Sequence, residues 1–454
     1  MADSKPTRVV ILGGGFGGAY LAQSLQKHAR KGELEVIIID RNNYFVFYPL
    51  LVEAGTGSIE PRHCTVPIRD FARKSELLMG EVKGLDVDGS TVRYRLIGDD
   101  RDRSIAYDHL VVALGSVTRI LPEDVVSGVR EHAFEMKHMT DAVAVRDRAI
   151  ELLELANAVE DPEERRRLLH FVIVGGNVTG IEVIGELENF VRDATVQYHH
   201  LRREDCSFTV IEGSPCILGI LPESQHEWAA RKLEKRGITL RTGMTVKEVH
   251  ADHVITADGE RVPCGTVIWT AGIAPNPVLQ QLEGLPLNQF NGLDCNADYS
   301  AKGLDRVWGL GDCASVPGAD GKPMPPLAQI AIRQAPQLAA NIIATIEGRP
   351  TTSGGVAVQG ILVPLGRHRG VAKLKGLRFE GFFAWAMWRA IYLLKTPGWR
   401  RRFRVMMDWF INMFCKRDYV QLGMVPASHR EFHGQHHTGR SADELGDAGE
   451  SGTE

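Results

Sequence analysis

One local pattern occurs twice in this chain: a short β-branched run, a cluster of glycines, a helix-forming stretch, and a second short strand that ends in an acid. The first copy runs from Arg8 to Leu12, through Gly13-Gly14-Gly15-Phe16-Gly17-Gly18, along a helical stretch from Ala19 to Ala29, and into a strand from Leu34 to Ile39 that closes on Asp40. The second runs from Leu168 to Val174, through Gly175-Gly176-Asn177-Val178-Thr179-Gly180, along a helix from about Ile181, and through Phe208 to Ile211 to Glu212. Runs this short and this apolar are strands buried on both faces of a parallel sheet. Two such units, roughly 160 residues apart, predict an α/β chain with two Rossmann-like dinucleotide-binding domains.

The chemistry follows from the spacing. Gly13, Gly15 and Gly18 fit G-x-G-x-x-G. The first glycine allows a tight turn, the second lets a pyrophosphate approach the backbone, and the third lets helix and strand pack closely. The helix that follows offers unpaired N–H groups and the positive end of its dipole. Asp40 stands where a carboxylate bonds a ribose hydroxyl. In the second loop Gly175 and Gly180 fit, but the middle position is Asn177. Its side chain crowds the approach to the backbone, and Gly176 is expected to take over part of it. Glu212 is expected to accept the 2′-OH and repel a 2′-phosphate, which favours NADH over NADPH. A second module that packs without binding stays open at this stage.

The bulk numbers narrow the field. A chain of 454 residues accommodates about three domains. A net charge of -4 gives no general excess of positive charge for nucleic acid. None of the seven cysteines forms a C-x-x-C pair, so no zinc ribbon and no metal site is expected. The opening residues lack the apolar core of a secretory leader. No uninterrupted apolar run approaches the ~18 residues of a membrane span, so any membrane contact is expected to be peripheral.

Three later segments sharpen the picture. Ala113-Leu114-Gly115-Ser116 follows the strand-like Leu110-Val111-Val112; Trp269-Thr270-Ala271-Gly272 follows Val267-Ile268; Gly311-Asp312-Cys313-Ala314 follows Arg306 to Leu310. In this order they resemble the two-dinucleotide-binding-domain flavoproteins of glutathione reductase fold. Within that group the chain is most similar to the type II NADH dehydrogenases, on RNNYFVFYPLLVEAGTG (Arg41 to Gly57), GGNVTGIE (Gly175 to Glu182), WTAG, GDCA and PPLAQIAIRQA (Pro325 to Ala335). The resemblance covers about Thr7 to Gly423. It implies FAD on Gly13, Gly15, Phe16, Gly17, Gly18, Asp40, Arg41, Val82, Ala113, Gly115, Asp312, Ala328 and Gln329, with Asp312 on the ribityl chain. It implies NADH on Gly175, Gly176, Asn177, Thr179, Gly180, Glu182, Glu212, Ala271 and Gly272. It places a quinone near Gln329, Arg333 and Gln334, and makes Glu182 and Gln329 the candidate catalytic residues. Two positions depart from the family pattern: Leu327 replaces a threonine, and Arg333 a glutamine. No cysteine pair follows the first helix, so disulfide reduction is not expected, while a sulfide route through Cys64 and Cys313 stays open.

Phe382 to Leu394 carries Trp385, Trp388, Ile391 and Tyr392 at helical spacing; Trp399, Phe403, Met406, Phe410 and Phe414 repeat it beside Arg400, Arg401, Arg402 and Arg404. Such a pattern suits a helix in the headgroup plane of an anionic membrane, which the resemblance also implies, while a core or dimer helix with snorkelling arginines stays open. The expected division is 1–150 and 291–366 for FAD, 151–290 for NADH, 367–427 for a membrane-associating C-terminal amphipathic helical segment, and 428–454 for a disordered tail. Residues Glu151 to Arg167 are expected to link the modules. The expected function is transfer of electrons from NADH through FAD to a membrane quinone without proton pumping, at the cytoplasmic side of the cell membrane; the resemblance also allows a homodimer. A soluble NADH-dependent reductase using oxygen or a protein carrier, and a flavin-binding redox sensor, remain as alternatives.

Overall fold

The computed structural model describes residues 5–423. They form two compact units. One comprises the chain up to Arg119, Leu218–Ala229 and Ala271–Arg417; the other comprises Ile120–Ile217, Ala230–Thr270 and the chain from Asp418.

The first unit is built on a seven-stranded sheet in the order Val307–Gly309, His109–Val112, Thr7–Leu12, Leu34–Asp40, Glu76–Asp86, Thr91–Leu96, Asp102–Ala106. The first five strands are parallel and the last two add antiparallel. Val9, Val10, Ile11 and Leu12 are fully buried, as a central strand covered on both faces requires. The helices Phe16–Arg30 and Ala328–Ile346 pack together. The strand Thr7–Leu12 lies between partners reached by opposite turns of the chain, so the mouth of the glycine loop sits at a topological switch point, where open α/β sheets bind ligands.

The second unit repeats this plan with five parallel strands: Ala133–Phe134, Thr266–Trp269, His170–Val174, Ser207–Glu212, Ile238–Thr242. His170–Val174 holds the switch-point position.

The joins differ from the sequence expectation. Residues 120–150 belong to the second unit because Ala133–Phe134 is its edge strand and the helix Met139–Ala158 packs on that sheet. Residues 271–290 belong to the first because Ile273–Pro275 pairs with Ser116–Thr118. The stretch Glu151 to Arg167 is no linker: it is the end of Met139–Ala158 and the start of Pro162–Leu168, which pack against each other within the second unit. A division at 366/367 would also cut a three-stranded antiparallel sheet, Gly360–Pro364, Gly370–Leu374 and Leu377–Glu380. The helices Phe382–Lys395 and Trp399–Phe414 complete the first unit, close to where periodicity put them. The tail expected over 428–454 lies outside the described residues.

Candidate active site and its nucleotide loops

The first loop is held from both sides. Gly13 donates its N–H to the Ile39 carbonyl at 2.8 Å, and Ala113 donates to the Leu12 carbonyl at 2.8 Å. Gly13 has φ +101°, and a Cβ on it would stand 2.4 Å from the Ala113 oxygen, so no other residue fits. A Cβ on Gly18 would stand 1.9 Å from the Gly13 oxygen, which is the close helix–strand contact the third glycine serves. At Gly15 the reverse holds: a Cβ there would meet nothing within 4 Å. The fold leaves that place open, and no side chain caps the helix Phe16–Arg30 behind it. An open cradle over uncapped helix N–H groups fits the pyrophosphate of FAD. Asp40 accepts the Gly14 N–H at 2.6 Å and the Asn42 N–H at 2.7 Å. A carboxylate in this place is the group that a ribose hydroxyl bonds. Arg41 is exposed beside it, and Val82 lies in Glu76–Asp86 at an irregularity in the pairing with Thr91–Leu96.

The late motif closes on the same sheet end. Asp312 accepts the Ser116 hydroxyl at 2.8 Å, which points the carboxylate toward the Ala113-to-Ser116 turn, where Gly115 has φ +69°. Residues Ser116 and Asp312 line a cavity of about 190 Å³. Cys313 is fully buried, its thiol pushed up to about 12 by burial, and Cys64 is likewise buried and shifted in the same direction. All seven cysteines are free. Buried neutral thiols are inert, which argues against the sulfide route.

The three residues expected at the quinone fall on different faces of Ala328–Ile346. Gln329 and Arg333, one turn apart, both hold the stretch that leads into Gly360–Pro364. Gln329 donates to the Gly360 carbonyl at 3.1 Å and accepts the Gln359 N–H at 3.3 Å, while Arg333 donates to the Ala357 carbonyl at 2.5 Å. Beside them Leu327, Gln359, Gly360 and Lys373 line a cavity of about 320 Å³. Gln334 points the other way. It is buried, and its side-chain oxygen accepts the Gly311 N–H at 3.1 Å, so it holds the flavin motif loop. Ala328 begins this helix.

The second loop copies the first bond for bond. Gly175 donates to the Ile211 carbonyl at 2.8 Å and Thr270 to the Val174 carbonyl at 2.8 Å. Glu212 accepts the Gly176 N–H at 2.6 Å and the Ser214 N–H at 2.7 Å. A Cβ on Gly180 would again stand 1.9 Å from the Gly175 oxygen. The helix Val178–Ala194 starts at once after Asn177, three residues before the sequence expectation, with Thr179 in its first turn and Glu182, half-buried, just beyond. Asn177 is that helix's N-cap. Ala271 and Gly272 group with the first unit, where the Gly272 carbonyl accepts the Arg119 N–H at 3.1 Å.

Sequence reading missed Ser116, Thr270 and Glu53. The first two lie in segments read only for their order along the chain, which gave neither side chain a role. Glu53 sits in Leu51–Gly55, only 4% exposed. It accepts from Arg389 at 3.0 Å and from the Trp409 indole N–H at 2.6 Å, one from each terminal helix. Asp408 accepts from Glu60 N at 3.1 Å and pairs with His63 at 2.5 Å, and Asn412 donates to the Ser58 carbonyl at 2.9 Å. One face of the helix pair is thus pinned to residues 53–63. Phe383 (77% exposed), Trp399 (73%), Met413 (63%) and Phe414 (72%) face outward. Among the described residues no helix is long and apolar enough to cross a membrane, and no group of metal-ligating side chains occurs.

Two sheets with duplicated glycine loops and a late aspartate define a flavin- and pyridine-nucleotide-dependent oxidoreductase. The chain belongs to the pyridine nucleotide-disulphide oxidoreductase family, whose model matches residues 7–335. The NDH2 C-terminal domain matches residues 358–418, which identifies the type II NADH dehydrogenases as its group. The type II NADH:quinone oxidoreductase Ndh of Mycobacterium tuberculosis is 27% identical over 424 residues, covering 90% of this chain and 89% of that one. A probable NADH dehydrogenase of Dictyostelium discoideum is 28% identical, with 90% of each chain covered. In structure, NDH2 from Plasmodium falciparum in complex with NADH superposes with a TM-score of 0.84 at 20% identity, over 92% of this chain and 100% of that one. FAD and NADH are therefore its cofactors.

Proposed function

We propose that this protein is an FAD-dependent NADH:quinone oxidoreductase that works at a membrane surface without pumping protons. The observation that carries the reading is the presence, on one chain, of both nucleotide loops and a helix pair that is pinned inward by Glu53, Asp408 and Asn412 and presents exposed aromatic residues outward. When bound, FAD supplies the two-electron carrier between donor and acceptor. The chain supplies placement. Gly15 and the uncapped helix behind it receive the FAD pyrophosphate, Asp40 a ribose hydroxyl, and Asp312, held by Ser116, the ribityl chain. Glu212 receives the nicotinamide dinucleotide's ribose and selects NADH.

Gln329 and Arg333 shape the acceptor side by holding the 357–360 stretch. Glu182 relays a proton for quinone reduction; Glu182→Gln would then shift the pH profile of quinone turnover, and an unchanged profile would remove that role. The helix pair anchors the protein at the cytoplasmic side of the membrane. Its apolar face enters the lipid boundary, and Arg400, Arg402 and Arg404 meet anionic headgroups. Deletion from Phe382 onward is expected to release the protein from the membrane fraction; a truncation that stays bound would overturn the anchor. The acceptor is tested on lipid-reconstituted protein with NADH and a quinone, with oxygen and a ferredoxin-type carrier as competitors. Quinone-dependent turnover supports the reading; equal turnover without quinone or lipid favours a soluble reductase.

A further inference from the structure

The second glycine loop departs from its motif at one residue, and the structure shows what that residue does. Asn177 has φ -75° and ψ -176°, close to the -70° and -161° of Gly15. Neither loop needs glycine here for backbone reasons. Glycine at position 15 keeps room for a ligand, since a Cβ meets nothing within 4 Å. In the second loop that room holds a carboxamide. Its Oδ1 accepts the Gly180 N–H at 3.0 Å, and its Nδ2 donates to the Thr270 carbonyl at 2.5 Å. The side chain is tied at both ends across the helix mouth, although Asn177 itself is exposed. The Gly180 N–H is one of the first-turn donors that a helix otherwise offers to an anion.

We propose that Asn177 sets the nucleotide affinity of the second module. Its carboxamide stands in the pyrophosphate's path and competes with the phosphates for the Gly180 N–H. NADH binds more weakly, and NAD⁺ leaves more readily, than with glycine in this place. The choice between NADH and NADPH is untouched, because it rests on Glu212. The inference depends on the reading that the second module holds NADH.

The test is calorimetric titration of NAD⁺ into full-length, FAD-loaded wild type, Asn177→Gly, Asn177→Ser and Asn177→Asp, with thermal unfolding followed in parallel. Asn177→Gly is expected to lower the Kd about fivefold, the factor equivalent to one capping bond, with little change in Tm because glycine is itself a fair N-cap. Asn177→Ser keeps a short cap, loses the bond to Thr270, and falls between the two; it carries the test if the glycine variant folds poorly. Asn177→Asp keeps the cap but sets a negative charge against the phosphates, and is expected to raise the Kd more than about tenfold. If the aspartate variant binds more weakly while the glycine and serine variants bind no tighter than wild type, the proposal is overturned and the module remains the site. If no substitution moves the Kd, the assignment of NADH to this module falls, and the proposal with it.

Discussion

The two glycine loops share a backbone and differ in what fills it. Each strand end accepts the same loop N–H, each acid holds the same two backbone donors, and each third glycine touches the same carbonyl oxygen of the first. The first loop leaves its middle position open and its helix uncapped. The second fills the position with Asn177 and caps its helix with the same side chain. A loop open to ligand suits a cofactor that stays bound through many turnovers. A loop that satisfies its own donors suits a nucleotide that must come and go. Fold and occupancy are thus separable in this motif: the first and third glycines build the turn, and the second only makes room.

The largest expected effect tests the shared part. Gly18→Ala and Gly180→Ala each force a Cβ to 1.9 Å from backbone oxygen. Gly18→Ala is expected to yield protein without flavin absorbance. Gly180→Ala is expected to stay yellow while its reduction by NADH falls at least about a hundredfold, an overpacking cost concentrated at the second site. Loss of flavin in both variants would show that the modules are not independent in this respect.

The next effect separates the sheets under the loops. His109 and Thr266 occupy matching registers, opposite Val9 and Phe171. Burial pushes the His109 imidazole from 6.5 down to about 4, and the Trp308 indole N–H donates to its Nδ1 at 3.3 Å. Between those pH values the unfolded chain binds the proton and the folded chain does not, so stability falls as pH falls through that window. The share of this one group is roughly 3 kcal/mol at the acid end. His109→Gln is expected to flatten that limb of a denaturation-versus-pH curve, and a limb as steep as wild type would rule His109 out as its source.

Smaller effects sharpen the difference itself. Gly15→Asn builds the second loop's cap into the first. Since nothing opposes a Cβ there, the protein is expected to fold normally and to lose FAD about tenfold more readily on dilution, again the scale of one cap plus crowding. Retention equal to wild type would mean that the open place is not the pyrophosphate's. Glu212→Gln removes the charge that repels a 2′-phosphate, and the ratio of NADH to NADPH efficiency is expected to fall about tenfold. An unchanged ratio would move that selection away from Glu212.

Much of the architecture was readable in advance because the signals are local. β-branched runs, glycine spacing and the terminal acids marked both modules, and aromatic spacing marked the two terminal helices. What escaped was non-local. Nothing near residue 120 announces that Ala133–Phe134 will pair with Val267 and Ile268. Glu53 sits inside a segment read only for its resemblance, and its partners lie 336 and 356 residues away. Gln334 and Arg333 are neighbours in sequence, yet one holds Gly311 and the other Ala357, because adjacent residues on a helix face different ways.

The chain by itself determined that there would be two modules of this fold, since the left-handed turn at Gly13 and Gly175 and the close approach at Gly18 and Gly180 call for glycine. It also marked Asn177 as a departure. Only the tertiary structure decided what the departure means. The side chain needed the end of Thr266–Trp269 beside it before its amide had a second partner in the Thr270 carbonyl. A cap held at both ends is a property of packed strands and helix, and no spacing in one loop contains it.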